Sequence, residues 1–324
     1  MNQPLTTLAI MFGSLTIGYA YQVSFRRARP EAEHKVPRLA AAVQRLVVTV
    51  ISPLTLLNAF WVLSVSGGTM VLFPLVGALS HVVGGASAIA ASRLLGLDRK
   101  STGSMLTCGA FTNLGSIGGL VSFIFLGEAG YALAALFRMF EPVLYFLVGF
   151  PMAKTYAQEA SDDNRLRLDL RAIVRDRLIL LPILGIAAGV VLNSSGLIRP
   201  PAVGVANSYL ILASTVGMLF AVGLNMRPAA ARGYMCESAA IAGIKYVVLP
   251  ATLTLVALLL GYGRLEGGLP LRVVITMSAM PVAFNSLVPP SLYGLNKDLA
   301  NSAWLVSMAL LVVVLPLLSL VRMI

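Results

Sequence analysis

Two long apolar segments of this chain are each interrupted by an amide side chain that lies among glycine or proline residues. Residues 109–119 read GAFTNLGSIGG and residues 280–290 read MPVAFNSLVPP, so Asn113 and Asn285 occupy corresponding places in the two halves. In a lipid bilayer an unpaired backbone group is costly, so an interrupted helix is tolerated only where it lines a protein cavity. A matched pair of interruptions is typical of the substrate site of a secondary transporter.

The composition indicates a membrane protein. Of the 324 residues, 58% are hydrophobic and only 11% are charged, whereas about 25% are charged in a soluble domain. The apolar runs are long and do not alternate, which favours an all-α polytopic protein. The net charge of +11 comes mainly from short loops, so no nucleic-acid partner is predicted. Cys108 and Cys236 indicate neither a disulfide framework nor a metal site, and no cofactor is expected.

The apolar runs predict ten membrane spans. A span needs roughly 20 mostly apolar residues, and the breaks between the runs are charged or rich in glycine and proline. The predicted spans are 4–24, 39–63, 69–92, 101–126, 129–153, 177–195, 202–225, 236–261, 270–293 and 298–322.

Lysine and arginine residues predict the orientation of these spans. Seventeen of them lie in the loops that follow spans 1, 3, 5, 7 and 9, and only four lie on the opposite side. Cytoplasmic loops carry the excess of positive charge. Both termini are therefore predicted on the non-cytoplasmic side of the cell inner (plasma) membrane.

The ten spans divide into five plus five around a charged central loop. This division predicts a first repeat at 1–153, a cytoplasmic linker at 154–176 and a second repeat at 177–324. An odd number of spans per repeat inverts the second repeat in the membrane. Pairs of like residues recur at a nearly constant separation along the chain, which supports the repeat: Asn58 with Asn225, Asn113 with Asn285, and Pro151 with Pro316.

The order and spacing of several motifs resemble the auxin efflux carrier family, over nearly the whole chain. The motifs are LLGLDRK at 94–100, GAFTNLG at 109–115, GEAG at 127–130, KYVVLP at 245–250, AMPVAFN at 279–285 and YG at 293–294. The resemblance implies a ten-helix inverted repeat with crossed, broken helices 4 and 9, and a scaffold bundle that moves against a transport bundle. It also implies export of an organic carboxylate, as with plant auxin or bacterial malate and malonate, and a possible homodimer.

The sequence departs from that family in two places. The central loop has only about two dozen residues, where the plant carriers often have a long hydrophilic insert; this indicates a compact, prokaryotic member. Gly118 and Gly119 stand where the first crossover commonly has a proline. The break in span 4 is therefore expected to depend on Gly115, Gly118 and Gly119.

Asn113 and Asn285 are the leading candidates for substrate binding, with Gly115, Pro281 and Ser286 beside them. An amide has donors and acceptors for a carboxylate, and the N-terminus of a half-helix carries free N–H groups that suit an anion. The alternative is that each asparagine only caps its own interrupted helix.

Four ionisable residues inside the spans are candidates for coupling or charge compensation. Lys245 lies nine residues into span 8, about 14 Å deep at 1.5 Å per residue. It can attract the substrate, or it can instead neutralise a carboxylate or bond the carbonyls of a broken helix. Arg138 and Glu141 share a helix face and form either a mutually neutralising pair or a proton-coupling site. His81, in span 3, is either a titrating group or a hydrogen-bonded packing residue.

The leading functional prediction is a secondary transporter of a small organic anion, with possible proton coupling. The alternative is a sodium-coupled importer of the bile acid symporter type, which has the same architecture; a receptor or channel is a third interpretation. An enzyme is not predicted. The chain has only two histidines, His34 and His81, and no HExxH, GxSxG or nucleotide-binding motif.

Overall fold

The protein is described from a computed structural model covering residues 3–32, 34–63, 68–157, 177–226 and 233–319. Within these ranges the chain is helical, and the only β-pairing is one isolated bridge. The α-helices are α1 (Gln3–Ala28), α2 (Lys35–Leu46), α3 (Ser52–Trp61), α4 (Phe73–Leu94), α5 (Arg99–Ala110), α6 (Gly119–Phe137), α7 (Glu141–Leu144), α8 (Phe150–Ala157), α9 (Arg177–Ser194), α10 (Pro201–Gly223), α11 (Met235–Gly243), α12 (Leu249–Leu259), α13 (Leu269–Ser278), α14 (Val288–Tyr293) and α15 (Lys297–Ser319).

Proline accounts for most of the irregular turns inside the long helical stretches. A proline has no N–H and its ring collides with the carbonyl four residues earlier, so a helix that continues through it widens or bends. Three five-residue π-helical turns each end two residues before a proline: Val47–Ile51 before Pro53, Tyr145–Gly149 before Pro151 and Ile244–Val248 before Pro250. The π turns thus link α2 to α3, α7 to α8 and α11 to α12 without ending the helical path.

Seven helical stretches of the described residues are long and apolar enough to cross a membrane. They are Leu5–Ala28, Lys35–Trp61, Gly68–Leu94, Leu114–Ala157, Pro201–Gly223, Met235–Leu259 and Lys297–Ser319. Six of them coincide with predicted spans 1, 2, 3, 7, 8 and 10. The seventh, 44 residues long, joins the second half of span 4 to span 5 through a bend at Gly127, whose φ is 73°.

The remaining predicted spans correspond to shorter helical pieces. Span 6 corresponds to the shorter apolar helix Leu180–Ser194, and span 9 is divided between α13 and α14. Ten spans and their inverted-repeat relation therefore stay predictions, as does the orientation of the termini. Residues 158–176, which form most of the predicted linker, lie outside the described residues.

The chain forms two compact units, and each unit takes segments from both predicted repeats. The first unit is Met1–Val65, Gly119–Ala135 and Arg171–Met226. In it α3 packs on α9, and α1 packs on α10. Glycine makes both contacts close, because a Cβ on Gly185 would collide with the carbonyl oxygen of Pro53, and one on Gly18 would collide with the carbonyl oxygen of Phe220.

The second unit is Ser66–Gly118, Leu136–Leu170 and Arg227–Ile324. Here α4 packs on α5, α5 packs on α8, and α11 packs on α15. The loop before α5 supplies an N-cap, since the Asp98 carboxylate accepts a hydrogen bond from the Ser101 amide at 3.2 Å. Hydrogen bonding to Ser101 lowers the pKa of Asp98.

We expect Gly84→Ala to destabilise the protein by about 1–3 kcal/mol, because the α4–α5 contact has no room for a methyl group. A Cβ at this position would collide with the carbonyl oxygen of Gly109. The matched control is Gly243→Ala, because nothing lies within 4 Å of a Cβ at Gly243, so this change should be neutral or stabilising. Thermal unfolding in detergent compares the two, and equal melting temperatures would contradict the expectation.

Candidate functional site

The two interruptions found in the sequence lie against each other in the second unit. Residues 111–113 and 281–283 are extended, and they pair as antiparallel backbone segments. The pairing consists of a bridge between Thr112 and Val282, a bond from the Asn113 N–H to the Pro281 oxygen (2.8 Å) and a bond from the Ala283 N–H to the Phe111 oxygen (2.9 Å). Each break therefore satisfies backbone groups that the other leaves without a helical partner.

The first break lies at residues 111–113, before the glycine residues on which it was expected to depend. Residues 114–118 are a π-helical turn that leads directly into α6, so the expectation that Gly115, Gly118 and Gly119 form the break is wrong. Two of these glycines instead allow close approach. A Cβ on Gly115 would lie 2.9 Å from the Arg138 guanidinium, and one on Gly118 would lie 2.8 Å from the Met277 sulfur.

Asn113 caps the half-helix that follows the first break. Its Oδ1 accepts a hydrogen bond from the Ser116 hydroxyl at 2.7 Å and one from the Ile117 amide at 3.3 Å. Its Nδ2 has no hydrogen-bond partner in the described part of the chain. The side-chain oxygen thus makes the cap, and the two amide hydrogens have no acceptor among the described residues.

Asn285 lies in the first turn after the second break. The 3-10 turn Phe284–Leu287 begins there and leads into α14. The Asn285 side chain is exposed and makes no hydrogen bond with a described residue. Both leading asparagines therefore stand at half-helix N-termini, where backbone N–H groups and the helix dipole favour an anion.

The neighbours predicted to line the site have different positions. Pro281 is buried, and its carbonyl oxygen accepts a hydrogen bond from the backbone N–H of Asn113. Ser286 is fully buried; its hydroxyl donates to the Ala283 oxygen at 2.7 Å, and the Cys108 sulfur lies 3.9 Å from it. Gly115 is half-buried beside Arg138.

Lys245 belongs to the π-helical turn Ile244–Val248 and is fully buried. Its side chain reaches the C-terminal end of α5. Its Nζ donates hydrogen bonds of 2.7 Å to the carbonyl oxygen of Gly109 and to the hydroxyl of Thr112. The last carbonyls of a helix have no intrahelical partner and carry partial negative charge. The ammonium therefore lies at the C-terminal end of the first half-helix, and no carboxylate pairs with it among the described residues.

Arg138 and Glu141 form a salt bridge that extends to a tyrosine. The Arg138 Nε donates to Glu141 Oε2 at 2.6 Å, and the Tyr145 hydroxyl donates to Glu141 Oε1 at 2.7 Å. The Glu141 side chain is buried, while the Arg138 side chain is 39% exposed. Because this guanidinium also contacts Gly115, a positive charge lies beside the first turn of the half-helix.

Tyr145 and Thr112 are site residues that the sequence analysis missed. The Tyr145 hydroxyl lies 3.4 Å from the Thr112 carbonyl, so it connects the carboxylate of Glu141 to the first break. Spacing could have indicated Tyr145, because it stands four residues after Glu141 and therefore shares its helix face. Thr112 had no such signal, since its importance depends on Lys245 from a distant helix.

His81 packs on the same tyrosine but makes no bond to the breaks. Its ring centroid lies 5.7 Å from that of Tyr145, in an edge-to-face arrangement. Its Nδ1 lies 3.2 Å from both the Gly77 oxygen and the Ser80 hydroxyl. The Nε2 atom is buried and has no partner among the described residues.

A further polar cluster, in the first unit, was not found from the sequence. The Arg199 guanidinium binds both carboxylate oxygens of Glu128, at 2.6 and 2.7 Å, and also donates to the Asn58 carbonyl at 2.9 Å. The Asn207 amide donates to the same carboxylate. This cluster neutralises Glu128 and joins three helical segments of its unit.

The structure thus describes an α-helical protein with several apolar helices of membrane-spanning length and two interrupted helices paired at their breaks. Residues 182–319 match the membrane transport protein family. No curated protein matches the chain. The matched segment contains the second break and Lys245 but not the first break. The match indicates a membrane transporter and, with the apolar helices, a membrane location.

We expect Lys245→Met and Thr112→Val to be energetically coupled, because the two residues share a hydrogen bond at the first break. The coupling free energy should be about 0.5–3 kcal/mol in a double-mutant cycle, measured by unfolding in mixed micelles. The control cycle combines Lys245→Met with Ser80→Ala. The Ser80 hydroxyl donates to the Gly77 carbonyl and not to Lys245. Additive effects in the first cycle would show that the Lys245–Thr112 bond contributes nothing.

Proposed function

We propose that the protein is a secondary active transporter that exports a small organic carboxylate by alternating access around the crossing of its two broken helices. The observation that carries this proposal is the antiparallel pairing of residues 111–113 with 281–283. Two half-helices begin directly after this pairing, and the N-terminal end of each carries the partial positive charge of the helix dipole. The family match over 182–319 supports the general class of membrane transporter.

The proposed substrate is an anion because the available groups at the crossing are donors. The Nδ2 of Asn113 is without a partner among the described residues, and the amide of Asn285 is exposed. Half-helix N-termini add partial positive charge. The guanidinium of Arg138, beside Gly115, supplies a formal charge and a planar geometry that suits a carboxylate.

The proposed coupling ion is a proton, carried by Glu141. While Glu141 is ionised it neutralises Arg138 through the 2.6 Å bond, and this competes with a substrate carboxylate for the same guanidinium. When Glu141 takes up a proton, its bond to Arg138 weakens and the guanidinium is released for the substrate. Proton binding and anion binding then favour each other, so the proton and the anion cross together; export takes place when the outward gradient of the anion exceeds the inward proton gradient.

The sodium-coupled alternative has less support. A sodium site requires several oxygen ligands, and the carbonyl of Gly109 and the hydroxyl of Thr112 at the first break are already bonded by the Lys245 ammonium.

The transport proposal also includes three features of location and assembly. They are location in the cell inner (plasma) membrane, termini on the non-cytoplasmic side and a homodimer.

We expect Asn113→Ala and Asn285→Ala each to reduce anion transport at least tenfold, because each removes a donor from the site without changing the pairing of the breaks. Reconstituted protein would be tested on a solid-supported membrane with pulses of malate, malonate and indole acetate, together with counterflow of the labelled anions to detect electroneutral transport. The matched control is Asn225→Ala, whose amide bonds the Ala221 carbonyl in its own helix. Normal flux in both site variants would remove the crossing as the substrate site.

We expect Glu141→Gln to abolish proton-driven accumulation while exchange of labelled anion across the liposome membrane continues. Glutamine keeps the length of the side chain and an acceptor for Tyr145, but it cannot release or take up a proton. Glu31→Gln is the matched control, since Glu31 is exposed in the 3-10 turn Pro30–Ala32. Accumulation that still follows the pH gradient in Glu141→Gln would exclude Glu141 as the proton carrier.

A further inference from the structure

The pairing of the two breaks gives the N–H of Val282 no acceptor in the first break. Pro281 has no N–H, and the Ala283 N–H is donated to the Phe111 carbonyl oxygen. Successive N–H groups of an extended segment point to opposite sides, so the N–H of Val282 is directed away from the first break. It is donated instead to Oγ of Ser307 in α15, at 3.2 Å, and both residues are fully buried.

The hydroxyl of Ser307 is held in the direction that this bond requires. Its own hydrogen is donated to the Trp304 carbonyl oxygen at 2.9 Å, one turn earlier in α15, so a lone pair of Oγ faces the Val282 N–H. The backbone carbonyl of Ser307 accepts a hydrogen bond from the Tyr246 hydroxyl. Bonds to its side chain and to its backbone therefore fix Ser307 opposite the second break.

The same turn of α15 also contacts the residue that precedes Asn285. The indole ring of Trp304 lies edge-to-face against the Phe284 ring, with the centroids 6.0 Å apart. Val282 and Phe284 are thus both held by α15, and Asn285 follows directly in the first turn of the half-helix. The Asn285 side chain is exposed and has no hydrogen-bond partner among the described residues, so the direction of its amide depends on the backbone before it.

Each of the two bridged residues is in this way held from outside the pairing. Thr112 is bonded by the Lys245 ammonium, and Val282 is bonded by the Ser307 hydroxyl. Tyr246 follows Lys245 in the same π-helical turn, so this turn contacts the first break directly and the second break through Ser307. The two breaks are consequently fixed relative to each other by more than their own pairing.

We propose that Ser307 is a positioning residue for anion binding, which holds Val282 so that the amide of Asn285 is directed to the substrate. This inference rests on the proposed transport function. Ser307 does not contact the anion itself, since it is fully buried. Without its hydroxyl the Val282 N–H has no acceptor in an apolar surrounding, which is costly. The second break then shifts, and Asn285 moves with it.

The test measures exchange of labelled malate, malonate and indole acetate by the reconstituted full chain, each over a range of concentrations. We expect Ser307→Ala to raise the half-saturation concentration of the transported anion about tenfold, while the maximal rate changes by less than about twofold, because binding is weakened and the later steps are not. Ser307→Cys keeps the size of the side chain and weakens the acceptor, so it should shift the half-saturation concentration in the same direction.

The matched control is Ser302→Ala, which removes another fully buried hydroxyl of the same helix. The Ser302 hydroxyl pairs with the Ser238 hydroxyl at 2.8 Å and not with a break. The half-saturation concentration of this variant should equal that of the wild-type protein, even where its melting temperature falls. A purely structural role of Ser307 would give the same pattern as Ser302.

Hydrogen–deuterium exchange in lipid nanodiscs adds a measurement that needs no substrate. The backbone amides of residues 279–287 should exchange faster in Ser307→Ala than in Ser302→Ala, because only the first change frees the Val282 N–H. Equal amide exchange, or unchanged half-saturation in both Ser307 variants, would overturn the positioning role alone if Asn285→Ala still loses transport. Normal transport in Asn285→Ala, or no exchange of any of the three anions by the wild-type protein, would overturn the transport proposal together with this one.

Discussion

The structure of the second unit depends on the mutual pairing of two interrupted backbones. A helix that breaks in an apolar environment leaves N–H and C=O groups that no water can satisfy. Here the extended residues 111–113 and 281–283 supply those partners to each other. The pairing also places the N-terminal ends of two half-helices beside the breaks, because each half-helix begins directly after the paired residues. Polar backbone groups are thus accommodated inside an apolar unit because the two breaks are closed against each other.

Three charged side chains of this unit, Lys245, Arg138 and Glu141, lie around the same breaks. Lys245 is bonded to the Gly109 carbonyl in the last turn of α5, so its charge lies where the helix dipole is negative. Arg138 lies at the opposite kind of helix end, beside Gly115, and there its charge is compensated by Glu141. A buried charge without a partner is strongly unfavourable, and each of these three groups has a bonded neighbour.

Sequence spacing predicted the pair of interruptions but not which residues are equivalent in them. The separation of the two asparagines suggested that Asn113 and Asn285 correspond, whereas the backbone bridge joins Thr112 to Val282. If the bridged residues are taken as equivalent, Asn113 corresponds to Ala283. Asn113 accordingly caps its half-helix, while Asn285 is exposed in the first turn of the other. A separation along the chain cannot indicate which residue carries a backbone pairing.

The amino-acid sequence was enough to establish the membrane class, the apolar stretches and the two places where helices are interrupted, because these depend on local composition and on proline and glycine. Only the tertiary structure showed that the first break lies before Gly115 and not within the glycine run. Gly115 and Gly118 instead leave room for the side chains of Arg138 and Met277. Packing also brought Lys245 to the end of a half-helix. Contacts between residues that are far apart in the chain depend on packing, which no local pattern of residues encodes.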